Sequence, residues 1–123
     1  MKMEMDFEQF PCLNKNKALE RFRHLIKIST SLMPHQVAAA TGCDIRESIA
    51  ILMFLVTEDK LKPFILVYHN NHDDDIPLPI MKRNFIDGYP KLPFICDGCE
   101  KEIVSRKELS YDLMFEIIEN MEL

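Results

Sequence analysis

Apolar residues recur through the first half of the chain with the period of a helix. Ala18, Phe22, Leu25 and Ile26 fall at i, i+4, i+7 and i+8 and so share one face, with Arg21, Arg23 and Lys27 elsewhere on the circumference. This predicts a helix from Lys17 that ends at Ser29-Thr30-Ser31. Pro34 suits the first turn of a second helix, where a missing amide costs no bond, and that helix runs through Val37 and three alanines to Thr41 before Gly42 stops it. Asp44, followed three residues later by Glu47, has the form of a capping box. It opens a third helix with a stripe of Ile45, Ile49, Leu52, Met53 and Val56, reaching about Asp59, and the run Met53-Phe54-Leu55 reads as core.

The second half follows a different pattern. Phe64 to Tyr68 is β-branched and aromatic, as a strand requires, and Leu109 to Ile118 alternates Tyr111, Leu113, Phe115 and Ile117 with Asp112, Met114 and Glu116, which fits a strand better than a helix, although Leu113, Ile117 and Ile118 would also serve a helix. Between them, Pro77 and Pro79 exclude a helix, so Ile76 to Pro93 reads as a connection with one short turn at Asp87-Gly88. Met1 to Asn16 shows no clear period and reads as a lead-in strand or arm docking through Phe7 and Phe10. The expected fold class is α+β, in three segments: an arm over 1–16, a helical domain over 17–69 and a small β subdomain over 70–123.

Composition narrows the class. With 123 residues, 47% of them hydrophobic and 28% charged, the chain suits a globular domain, or two very small ones sharing a core. The longest apolar run, Ile49 to Val56, is too short to span a bilayer, and no secretory signal is evident, so a cytoplasmic location without membrane contact is expected. Four cysteines in such a chain read as thiols or ligands rather than a disulfide framework, with Cys12 and Cys43 as small buried or half-buried residues. The net charge of −5 is uneven: Lys17 to His69 carries seven basic against five acidic residues, and Asn70 to Leu123 six against twelve. A net acidic chain binds phosphate backbones poorly, so any nucleic-acid contact belongs to the first half.

Two short motifs carry the candidate chemistry. His69-Asn70-Asn71-His72 and Cys96-Asp97-Gly98-Cys99 each offer two ligands separated by two residues, a spacing that lets both point into one tetrahedral site. Four protein ligands fill a tetrahedron and leave no position for water, so His69, His72, Cys96 and Cys99 predict one structural Zn2+ rather than a catalytic one. Two alternatives stay open: a ribbon that has lost its metal, with Cys96 and Cys99 as packing or a reducible pair, and a redox Cys-x-x-Cys. The redox case wants the first cysteine at a helix start, and Asp97 works against a low thiol pKa. The chain shows no phosphate-binding glycine loop, no serine-nucleophile setting and no paired carboxylates with the signal of a surrounding pocket, and Asp73 to Asp75 lack the spacing of a calcium loop. A non-enzymatic role is expected.

Helix, helix, tight glycine turn, helix and strand, with Val37-Ala-Ala-Ala-Thr-Gly-Cys-Asp-Ile-Arg-Glu-Ser-Ile-Ala-Ile-Leu at the turn, resembles the winged helix-turn-helix over roughly Lys17 to His69. Cys96-Asp97-Gly98-Cys99, preceded by Phe94-Ile95 and followed by Ile103-Val104, resembles the second knuckle of a zinc ribbon. The whole arrangement is similar to bacterial and archaeal proteins that fuse a winged helix to a zinc ribbon, and to the large subunit of transcription factor E, where the wing strand runs into the first knuckle. This chain departs from them in placing histidines where the first cysteine pair stands. The resemblance implies a protein-interaction adaptor or assembly subunit, an accessory part of a bacterial multiprotein system such as anti-phage defence. The alternative is a DNA-binding regulator reading through Arg46 on the third helix, with Arg21, Arg23, Lys27, Lys60 and Lys62 as further contacts. A protein partner is expected, and the charge difference between the halves permits head-to-tail self-association.

Overall fold

The three helices form where the hydrophobic period predicts them. The computed structural model describes residues 9–70 and 78–118, and its helices are α1 (Ala18–Ile28), α2 (Pro34–Thr41) and α3 (Ile45–Thr57). Each boundary has a local cause. At the start of α2, Pro34 occupies the first turn and the Gln36 side chain accepts the Met33 amide at 2.9 Å. Gly42 ends the helix in the left-handed region at φ 79°, a conformation that costs glycine little. The capping box of α3 is formed in full: Asp44 Oδ1 accepts from the Glu47 amide at 2.7 Å, and Glu47 Oε1 accepts from the Asp44 amide at 3.0 Å.

On α1, Ala18, Phe22 and Ile26 are buried and Leu25 half-buried, as its face predicts. On α3 the stripe is rotated. The buried line is Ser48, Ile51, Leu52 and Leu55, whereas Ile45 is 47% exposed and Ile49, Met53, Phe54 and Val56 are half-buried. Ile-Ala-Ile-Leu-Met-Phe-Leu-Val is apolar around most of the helix, so periodicity alone permits either stripe and packing selects one. Ser48 tolerates burial because its hydroxyl donates to the Asp44 carbonyl at 2.8 Å.

The expectation that Cys12 and Cys43 stand as unpaired small residues is overturned: they form a disulfide, with Cα atoms 5.5 Å apart. The arm is not a strand at this point but a 3-10 turn, Pro11–Asn14, whose Leu13 is 1% exposed. Beside it Phe10 packs edge-on against Phe54 with ring centroids 5.7 Å apart, so the arm docks through Phe10; Phe7 lies outside the described residues. A separation of 31 residues, one cysteine in a patternless arm and the other in a helix turn, leaves no local trace of this proximity.

Strands complete an α+β fold. β1 (Ser31–Leu32), β2 (Leu61–His69), β3 (Met81–Asn84) and β6 (Leu109–Ile117) form a sheet in the order β1-β6-β2-β3, and β4 (Phe94–Ile95) pairs with β5 (Glu102–Ile103) in a separate antiparallel ribbon. β6 agrees closely with the predicted strand. β2 begins three residues earlier than expected and includes Pro63, which precedes the first pair of its register with β3, Phe64↔Asn84. β3 itself was expected to be a connection; Met-Lys-Arg-Asn has no β-branched residue, and only its antiparallel partner makes it a strand.

The chain resolves into two compact units, 1–63 with 114–123, and 64–113. In the first, β1 pairs with the end of β6 through Ser31↔Glu116 and Leu32↔Phe115, and Ile118 donates to the Lys60 carbonyl at 3.1 Å. Its core holds Leu13, Ala18, Phe22, Val37, Ile51, Leu52, Leu55 and Phe115. The second has a smaller core, Ile65, Val67, Cys96, Ile103 and Leu109, with Phe94, Cys99, Tyr111 and Leu113 packed against it. Among the described residues, no helix is long and apolar enough to cross a membrane.

Candidate metal centre

Alternation along β2 delivers the first ligand. Ile65, Val67 and His69 are spaced by two and so share a sheet face; the first two lie in the core, and His69 ends the row at 8% exposure. The second and third ligands come from the ribbon. Its register, Phe94↔Ile103 and Ile95↔Glu102, makes Cys96 to Lys101 the hairpin loop. Within that loop the Glu100 amide donates to the Cys96 carbonyl at 2.8 Å and the Cys96 amide to the Lys101 carbonyl at 2.9 Å. These bonds fold the backbone around the cysteines. The left-handed residue of the turn is Glu100, at φ 62°, rather than Gly98.

Cys96 is fully buried, Cys99 is half-buried, and neither is part of a disulfide. Cys99 Sγ lies 3.4 Å from His69 Nδ1, and the ligand atoms of His69, Cys96 and Cys99 all lie within 4.8 Å of one another. Bonds of about 2.3 Å to sulfur and 2.0–2.1 Å to nitrogen in a tetrahedron separate neighbouring ligand atoms by about 3.5–3.8 Å. The Cys99–His69 separation is close to that spacing, and the three side chains together could hold a metal ion. Two thiolates with one imidazole also form a soft donor set of the kind zinc accepts.

Glu108 shapes the local electrostatics. Its carboxylate accepts the Ser105 and Val104 amides, both at 3.0 Å, which holds its pKa below the usual carboxylate range, and His69 adds a smaller lowering effect. On the same unit Tyr68 is pushed up, first by burial and then by the charge of Asp112. Ser105-x-x-Glu108 is a capping box around a single 3-10 turn, Arg106–Glu108, a signal that the spacing alone carries.

Of the four predicted ligands, three converge; His72 lies outside the described residues. Cys96 follows a strand and the turn leads into another strand, so neither cysteine has the helix start that a redox Cys-x-x-Cys wants. The cations singled out for DNA are dispersed over several elements: Arg21, Arg23 and Lys27 exposed on α1, Arg46 exposed in the first turn of α3, Lys60 half-buried just ahead of β2, and Lys62 exposed on β2. Arg21 also borders a groove of about 600 Å³ between α1 and α2, with Leu25, Ile28 and Ala39 among its walls. No protein family model, curated protein or solved structure matches this chain.

Proposed function

We propose that the protein is a non-enzymatic interaction module in which a winged helix carries a ribbon stapled by one structural Zn2+. The observation that carries this reading is the convergence of His69, Cys96 and Cys99 at the end of β2 and in the β4–β5 loop. Burial supports a structural role over a catalytic one, since Cys96 is sealed in the core and His69 nearly so, which leaves little access for a substrate. The fourth ligand proposed from the sequence is His72. The winged-helix reading is supported by the order of helix, short strand, two helices about Gly42 and long strand, with the short strand paired to β6.

A protein partner is favoured over DNA by the outward side of α3. Arg46 is exposed there beside Ile45 and Ala50, with Ile49 and Met53 half-buried, so one guanidinium stands among apolar groups. Reading base edges calls for several hydrogen-bonding side chains, whereas apolar groups with an arginine suit a protein interface. Charge agrees. Residues 1–63 with 114–123 hold nine basic and eleven acidic residues, and 64–113 hold six and nine, so neither unit is basic. Net charges of −2 and −3 also give head-to-tail self-association little dipole to act through. Membership of a bacterial multiprotein system rests on the family resemblance alone.

Anisotropy with a random-sequence duplex at physiological salt, paired with affinity capture of partners, tests this reading. The module is expected to leave the duplex unbound and to retain a specific protein. Tight DNA binding with a steep salt slope, lost in Arg46→Ala, would replace it with a transcription regulator.

A further inference from the structure

The residue after His69 is held by more bonds than a loop residue needs. The Asn70 amide donates to the Glu108 carbonyl at 2.8 Å, its Nδ2 donates to the Lys107 carbonyl at 3.1 Å, and its Oδ1 accepts the Ser110 hydroxyl. All three partners lie on the 3-10 turn or the start of β6. The end of β2, which carries His69, is thereby tied to the 3-10 turn and to the start of β6.

The ring geometry makes this fixation matter. It is Nδ1 of His69 that faces Cys99 Sγ, at 3.4 Å. Nδ1 is the ring nitrogen nearer the backbone, joined to Cα through only Cβ and Cγ, so a ligand bond from it leaves little side-chain reach to absorb a displaced strand. An Nε2 ligand, one atom further out, has more slack. We infer that the metal is bound through His69 Nδ1, leaving the ring proton on Nε2, and that Asn70, braced by Ser110, is the positioning residue that sets this ligand. The inference rests on the metal reading above and assigns the ligating atom and its support. Partners hydrogen-bonded to a metal ligand typically contribute 10-fold to 100-fold in affinity, and a brace acting through the neighbouring backbone belongs at the lower end of that range.

Two measurements on the full chain test it. In zinc-loaded, 15N-labelled protein, long-range proton–nitrogen correlations of the His69 ring are expected to show Nε2 protonated and Nδ1 metal-bound; a metal-bound Nε2 would overturn the assignment. In Co2+ titrations, Asn70→Ala is expected to bind about 10-fold more weakly than the native chain, with shifted d–d bands. Asn70→Asp keeps the acceptor for Ser110 but loses the donor to Lys107, and belongs between the two. Ser110→Ala removes one exposed bond and lowers affinity least, which keeps the test valid where Asn70→Ala disturbs the ribbon. Equal affinity and an unchanged spectrum across all three variants would remove Asn70 from this role. A native chain that binds neither Zn2+ nor Co2+ would instead remove the metal centre itself.

Discussion

The two units achieve order by different means. The first buries three helices around Phe22, Leu52, Leu55 and Phe115 and ties its arm to the α2–α3 turn with the Cys12–Cys43 disulfide. In the second, the cluster against the ribbon holds five buried residues, Ile65, Val67, Cys96, Ile103 and Leu109. A core of that size contributes little by area, and small scaffolds ordinarily need a metal or a covalent clasp. On the reading proposed above, a metal held by His69, Cys96 and Cys99 would supply in the second unit the reinforcement that the larger apolar core and the disulfide give the first.

Removal of metal is expected to have the largest effect and to separate the two units. A strong chelator is expected to collapse the dispersed amide signals of 64–113 while the helical signals of α1 to α3 persist, because metal binding and folding are one equilibrium in such ribbons. Uniform loss across both units would show that they are not independent in this sense. Next in size is the disulfide. Cys12→Ser with Cys43→Ser opens a loop of 31-residue separation and is expected to cost about 3 kcal/mol in denaturant unfolding of the helical unit, with Co2+ affinity unchanged.

Two smaller effects sharpen the picture of the ribbon. Glu100 is exposed and left-handed at φ 62°, so Glu100→Gly is expected to stabilise the metal-loaded form by about 0.5–1 kcal/mol, as relief of the Cβ clash exceeds the added chain entropy. A loss of stability would mean that the Glu100 side chain contributes more than its backbone strain costs. Glu108 gives the smallest effect and a definite sign. Its folded pKa is lowered, so its brace on the Val104 and Ser105 amides is fully present above the ordinary carboxylate pKa of about 4.3 and fades as pH falls through the folded value. Amide shifts of Val104 and Ser105 followed through acid titration are expected to move together below that point, and Glu108→Gln is expected to abolish the transition.

What the sequence reveals differs between the units for physical reasons. Helix boundaries in the first were legible because capping chemistry is local: Asp44 with Glu47, Pro34 and Gly42 each act within one turn. The rotated stripe of α3 was not, because a helix apolar on most sides does not specify its inward face. Nor was the disulfide, whose partners meet only through tertiary packing. In the second unit, Cys96 and Cys99 are legible from their spacing, and His69 from its spacing with His72. The short strand β3 and the Asn70 and Ser110 brace were silent, since polar residues acquire those roles only from a partner distant in sequence.

We propose that His69, Cys96 and Cys99 share one metal ion. Elemental analysis of protein purified without added metal, beside Cys96→Ser and His72→Ala, tests it most directly. One zinc per native chain is expected, none in Cys96→Ser, and a weakened site in His72→Ala; a well-folded native chain without stoichiometric metal would rule the shared site out.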